Sequence, residues 1–111
     1  MLELTNDHYM RILTKDEIKE NLKYIDKWKY KRNSIVKRLK VKNFMTAIKL
    51  VNTIAPIAEK LEHHPDIEIK NYNEVVIKLT THDAKGITKY DFELAKKIDK
   101  AIKDFSNTKP I

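Results

Sequence analysis

Residues 43–83 read NFMTAIKLVNTIAPIAEKLEHHPDIEIKNYNEVVIKLTTHD, and within them the hydrophobic period changes once. From Asn43 to about Leu61 or His63, apolar residues recur at helical spacing. Phe44, Ile48, Val51, Ala55 and Ala58 make one stripe, and Ala47, Leu50, Ile54, Ile57 and Leu61 a second beside it. Two adjacent stripes give a broad apolar face, wide enough to cover a sheet and to touch a second subunit. After Pro65 the period becomes two. Ile67 and Ile69 alternate with charge, then Val75, Ile77 and Leu79 follow across a turn at Asn71–Asn73, which predicts a strand pair. Pro56 lies inside the helix, where it removes the hydrogen bond to the Asn52 carbonyl and predicts a kink.

The flanks extend this pattern. Upstream, TKDEIKENLKYI predicts a helix with Thr14 as cap and Glu17 completing a capping box, and Ile18, Leu22 and Ile25 on its inner face. Next, KWKYKRNSIVKRLKV predicts a hairpin turning at Arg32-Asn33-Ser34, with Ile35, Leu39 and Val41 on one side and Lys40 on the other. Downstream, Gly86 marks a turn. Thr88 then opens a last helix with Leu94, Ile98, Ala101 and Phe105 inward and Lys96, Lys100 and Lys103 in water. The order helix-strand-strand-helix-strand-strand-helix predicts an α+β fold, a four-stranded mainly antiparallel sheet with helices packed on one face. The expected division is an N-terminal extension over 1–12, one domain over 13–107 and a tail over 108–111.

Composition narrows the function classes. A chain of 111 residues, 41% hydrophobic and 35% charged, suits one globular domain. It has no cysteine, so disulfides, thiolate metal sites and cysteine nucleophiles are excluded. No apolar run is long enough to span a bilayer, and MLELTNDHYMRIL lacks the apolar core of a signal peptide, so a cytoplasmic protein with no membrane partner is expected. The single glycine leaves no phosphate-cradling or dinucleotide-binding motif. Net charge is +7, from 23 Lys and Arg against 16 Asp and Glu. The lysines are spread along the whole chain as ordinary surface residues, and nucleic acid is not an expected partner. KWKYKRNSIVKRLK is where such binding would occur, and a salt-dependent DNA affinity would reveal it.

Three of the four histidines lie between positions 63 and 82. Glu59 and His63 are four residues apart and share a helix face, so carboxylate and helix-end dipole both favour a protonated imidazole. Histidine ordinarily titrates near ~6.5, which suits proton transfer at neutral pH. Pro65 disfavours helical geometry at His64, so the two adjacent imidazoles are expected to diverge and to meet one ligand from different directions. His82 follows a strand, in a loop where site residues commonly stand. Asp91, three residues after Thr88, fits either a capping box or the same site. Glu59, His63, His64 and His82 include metal-ligating types, but the HxxxH or HExxH pairing is missing and no metal is expected. Ser34 and Ser106 have no evident base to activate them.

These segments carry a resemblance. AEKLEHHPDI, the tyrosine in NYN, KLTTHD and TKYDFELAKKID, together with LTKDEI, Trp28 and VKNFMTAIKLV, resemble the pterin-4a-carbinolamine dehydratase family from about Leu13 to Phe105. The resemblance implies a hydro-lyase, a 4a-hydroxytetrahydrobiopterin dehydratase, that converts 4a-hydroxytetrahydropterin to quinonoid dihydropterin and so recycles a tetrahydropterin. It implies catalytic roles for His63, His64 and His82, supporting roles for Glu59, Asp91 and Trp28, and no cofactor. Glu59 is expected to orient His63. The implied partners are a pterin substrate and further copies of the chain, as homodimer or homotetramer. The alternative it carries is a non-catalytic binding module, since some animal members act as dimerisation cofactors of a homeodomain transcription factor. The sequence departs from the family at Pro56, at Ile67 where many relatives carry an aromatic, and between HHP and Tyr72, which is one residue longer than in animal members. Residues 1–12 have no counterpart.

Overall fold

The computed structural model describes residues 9–105 and 109–110. Its elements are α1 (Lys15–Leu22), β1 (Lys29–Lys31), β2 (Ser34–Lys40), α2 (Phe44–Leu61), β3 (Asp66–Lys70), β4 (Glu74–Leu79), a 3-10 turn (His82–Ala84), α3 (Lys89–Ile102) and β5 (Lys109–Pro110). The main strands run in the order β1-β2-β4-β3, antiparallel throughout; β1–β2 and β3–β4 are the two hairpins the sequence predicts, and the β2–β4 pairing joins them. The two-residue β5, within the segment expected to be a tail, adds to β2 opposite Leu39 and Lys40.

Register explains the core. Leu39, Val75 and Ile69 form one cross-strand row, and Lys37, Ile77 and Ile67 the next. Leu39, Val75 and Ile77 are fully buried, whereas Arg38, Lys40 and Lys78, which point the other way, are exposed. One face of the sheet is therefore apolar, and the helices cover it. From α2 come Ala47, Leu50, Ile54 and Ala58, and from α3 come Phe92, Leu94, Ala95 and Ile98. The other apolar stripe of α2 is only partly covered, and Phe44 remains half exposed. Helix α2 runs unbroken through Pro56, which lies on its exposed side. The carbonyl of Asn52, also exposed, can there meet water in place of the missing N–H.

The capping box predicted at Thr14 forms. At α1 the Glu17 N–H donates to Thr14 Oγ1 (3.1 Å) and the Thr14 N–H to Glu17 Oε1 (2.9 Å). Arg11 clamps the same carboxylate with two hydrogen bonds, at 3.1 and 2.9 Å. The Arg11 bonds, then the Thr14 N–H, hold the Glu17 carboxyl down at about 2.

Lys37 departs from the pattern. It sits at an inward position of β2 and is only 2% exposed. Its ammonium donates to Asp99 Oδ1 (2.8 Å) and to the Asp26 carbonyl (2.7 Å), 5.8 Å from the centre of the Trp28 ring. Asp99 also accepts from Trp28 Nε1 and from the Asp26 N–H, both at 2.8 Å. A buried charge stands only when paired and hydrogen-bonded, and here four hydrogen bonds converge on two acceptor groups.

Candidate active site

The helix end sets the first histidine. Helix α2 stops at Leu61 because Glu62 takes the left-handed conformation (φ 57°, ψ 38°), and the His63 N–H then closes on the Ala58 carbonyl at 3.1 Å. This turn lifts His63 off the helix. The expected pairing of Glu59 with His63 does not form, because four-residue spacing holds only while the chain remains helical. Glu59 Oε2 instead meets His64 Nε2 at 2.5 Å, and His63 Nε2 meets Asp91 Oδ1 at 2.6 Å, across the gap to α3. The divergence of the two imidazoles is as expected, with a different carboxylate behind each.

Asp91 resolves the choice left open by its spacing, because it does both things. It is fully buried, and its Oδ2 accepts from the Thr88 N–H (2.9 Å), which closes the α3 capping box, and from the Thr81 hydroxyl (2.8 Å). Its Oδ1 faces His63, whose side chain is 11% exposed. The second pair is open to solvent, with His64 at 61% and Glu59 at 74%. Tyr90 lies against His63, with ring centres 5.5 Å apart, and Tyr9 lies against Tyr90 at 5.2 Å.

His82 begins the 3-10 turn after β4. A bridge between Thr81 and Gly86 closes that loop, with Thr81 N–H to Gly86 carbonyl at 3.0 Å. His63, His64 and His82 line one cavity of about 500 Å³, with Met10, Leu61, Glu62, Thr80, Thr81, Asp83 and Tyr90. That volume lies in the range of small-molecule sites, roughly 300–1,000 Å³. A groove of about 520 Å³ between α2 and α3, lined by Ile57, Lys60, Leu61, Lys97, Lys100, Ala101 and Asp104, has no imidazole and suits no proton transfer near neutral pH.

Trp28 is not brought to the histidine cavity. Its indole is buried on the Asp99 side of α3, eight residues, or about 12 Å of helix rise, beyond Asp91. Thr81, Thr88 and Tyr90 are the site residues that sequence reasoning passed over. Their only signal was position, beside His82 and Asp91. Among the described residues no three of His, Asp and Glu converge as a metal would require, and no helix is long and apolar enough to cross a membrane.

A family profile described as "Pterin 4 alpha carbinolamine dehydratase" matches residues 11–101. The chain belongs to that family. Among curated dehydratase relatives, a protein of Sulfolobus acidocaldarius, provisionally named a pterin-4-alpha-carbinolamine dehydratase, is 47% identical over 88 residues, 79% of this chain and 96% of its own. A protein of the same provisional name from Aquifex aeolicus is 42% identical over 95 residues, 86% of this chain and 95% of its own. A crystal structure titled transcriptional coactivator/pterin dehydratase from Brucella melitensis superposes with a TM-score of 0.76 at 34% identity, covering 82% of this chain and 98% of that one. A pterin dehydratase-like protein identified as a RuBisCO assembly factor shares the fold at a TM-score of 0.53 and 17% identity, over 68% of this chain and 86% of that one. The dehydratase match begins at residue 11, so Tyr9 and Met10 approach the cavity from outside it.

Proposed function

We propose that this chain, as a single domain over 13–107, dehydrates 4a-hydroxytetrahydropterin in the cytoplasm and returns a quinonoid dihydropterin for reduction. The observation that carries this is the pair of carboxylate–imidazole contacts, 2.5 and 2.6 Å, on histidines that share one cavity with a third. Each carboxylate accepts from Nε2–H, which leaves Nδ1 to face a substrate, and the ring is an acid when that nitrogen also carries a proton. His63 and His64 are the general acids. As the C4a–O bond breaks, one of them gives its proton to the departing oxygen, which leaves as water. His82, for which no carboxylate partner is seen among the described residues, binds the pterin edge or takes the N–H proton. The cycle loses one water and needs no oxidant. The partly covered stripe of α2, with Phe44 half exposed, supports a homo-oligomer of the kind the resemblance implies.

Stopped-flow ultraviolet absorbance on freshly generated 4a-hydroxytetrahydropterin tests this reading. The protein is expected to accelerate the decay, and His64→Ala to lose roughly 10²–10⁴ of that acceleration. A loss below about threefold would remove His64 from the acid role. No acceleration by the folded wild-type protein would favour the binding-module reading, which the coactivator half of the Brucella protein's title also supports.

A further inference from the structure

Asp91 Oδ2 already receives two donors, the Thr81 hydroxyl and the Thr88 N–H. A carboxylate only accepts, so the contact at Oδ1 runs from a proton on His63 Nε2. The Thr81 hydroxyl proton is spent on Asp91, so the 2.8 Å contact between Thr81 Oγ1 and Thr88 Oγ1 runs from Thr88 to Thr81. Thr88 Oγ1 in turn accepts from the Tyr90 N–H at 3.2 Å. Every proton in this chain then has one direction. The network ends on one imidazole tautomer, with Nδ1 as the nitrogen turned to chemistry. The backbone of Thr81 meanwhile bridges Gly86 and fixes the loop that starts at His82.

We propose that Thr81 is a positioning residue for both sides of the reaction. Its hydroxyl fixes the tautomer and aim of His63 through Asp91, and its backbone fixes His82, so acid and base are placed relative to each other by one buried threonine. As far as turnover is concerned this rests on the dehydratase reading, but the tautomer claim does not.

Two readouts separate them. Nitrogen-15 NMR of the histidine rings in the substrate-free protein, at a pH where the rings are neutral, reports which His63 nitrogen keeps its proton. Thr81→Val keeps the shape and removes the hydroxyl, and is expected to turn a single Nε2–H form into a mixture, while Thr81→Ser restores it. In the stopped-flow assay Thr81→Val is expected to lower kcat by roughly tenfold to a hundredfold, as loss of an orienting partner does for ligating histidines, with KM within about twofold. An unchanged His63 tautomer in folded Thr81→Val overturns the proposal, as does unchanged kcat in an active enzyme. If Thr81→Val and Thr81→Ala both fail to fold while Thr81→Ser folds, the hydroxyl is structural and the proposal also falls. A wild-type protein without dehydratase activity removes the dehydratase reading alone, and the ring spectra still decide the role of Thr81.

Discussion

Asp91→Ala is expected to cost roughly 3–5 kcal/mol of stability and to reduce the turnover of what remains folded by about 10²–10⁴-fold. The stability loss follows from burial. Asp91 is wholly inaccessible, and its removal leaves the Thr81 hydroxyl, the Thr88 N–H and the His63 ring without their acceptor. Each buried donor left unsatisfied costs about 1–3 kcal/mol, with some relief as the site relaxes. The turnover loss follows from His63, which would no longer be held as a directed acid. Asp91→Asn separates the two. Its one carbonyl oxygen can serve Thr81 and Thr88 or His63, but not both, so it is expected to fold better than the alanine variant and to turn over little better. Denaturant midpoints and stopped-flow rates on the same preparations check this. A rate that falls only with the folded fraction would make Asp91 a cap and nothing more.

The second large effect lies further along the same helix. Asp99→Ala is expected to destabilise the fold by about 3–5 kcal/mol, the usual cost of stranding a buried charge. Lys37, 2% exposed, would keep the Asp26 carbonyl and a carboxylate at 3.8 Å, but lose its contact at 2.8 Å. Trp28 Nε1 and the Asp26 N–H would lose their acceptor as well. Turnover per folded molecule is expected to be unchanged, since Asp99 and Lys37 do not line the histidine cavity. Adding Lys37→Met should recover much of the loss, because the charge that needed a partner is then gone. Equal instability of the single and double variants, by urea denaturation, would show that the indole and loop contacts matter more than the ion pair. Of these two aspartates of α3, Asp91 thus serves both the fold and the candidate site, and Asp99 the fold alone.

These two residues also mark how far the sequence could be read. The two hairpins, the start of each helix and the capping box at Thr14 were legible, because alternation, stripe and cap are local patterns fixed by a few neighbours, whereas the first and last helices end three residues earlier than their apolar spacing suggests. Asp91 was legible as a cap and, through the resemblance, as a site residue, and its two oxygens allow both. The partner of Glu59 was not legible. It depends on Glu62 adopting a left-handed turn, for which glycine or asparagine is the usual signal. Lys37 was hidden for another reason. A lysine at an inward strand position breaks the alternation, and only the fold reveals the aspartate and indole, more than sixty residues and nine residues away, that make it tolerable. Trp28 belongs to the same cluster, and an aromatic residue in sequence does not say which side of a helix it will reach.

Met10 and Tyr9 stand before the stretch that defines the family, yet one lines the cavity and the other backs the tyrosine beside His63. This arm is moored by the Leu13 N–H on the Ile87 carbonyl, and by Ile12 in the space Gly86 leaves open, where an added Cβ would stand 3.1 Å from it. One wall of the cavity therefore belongs to Met10, a residue outside the stretch the family profile matches. Chains that share the family stretch and differ at this position need not admit the same molecule.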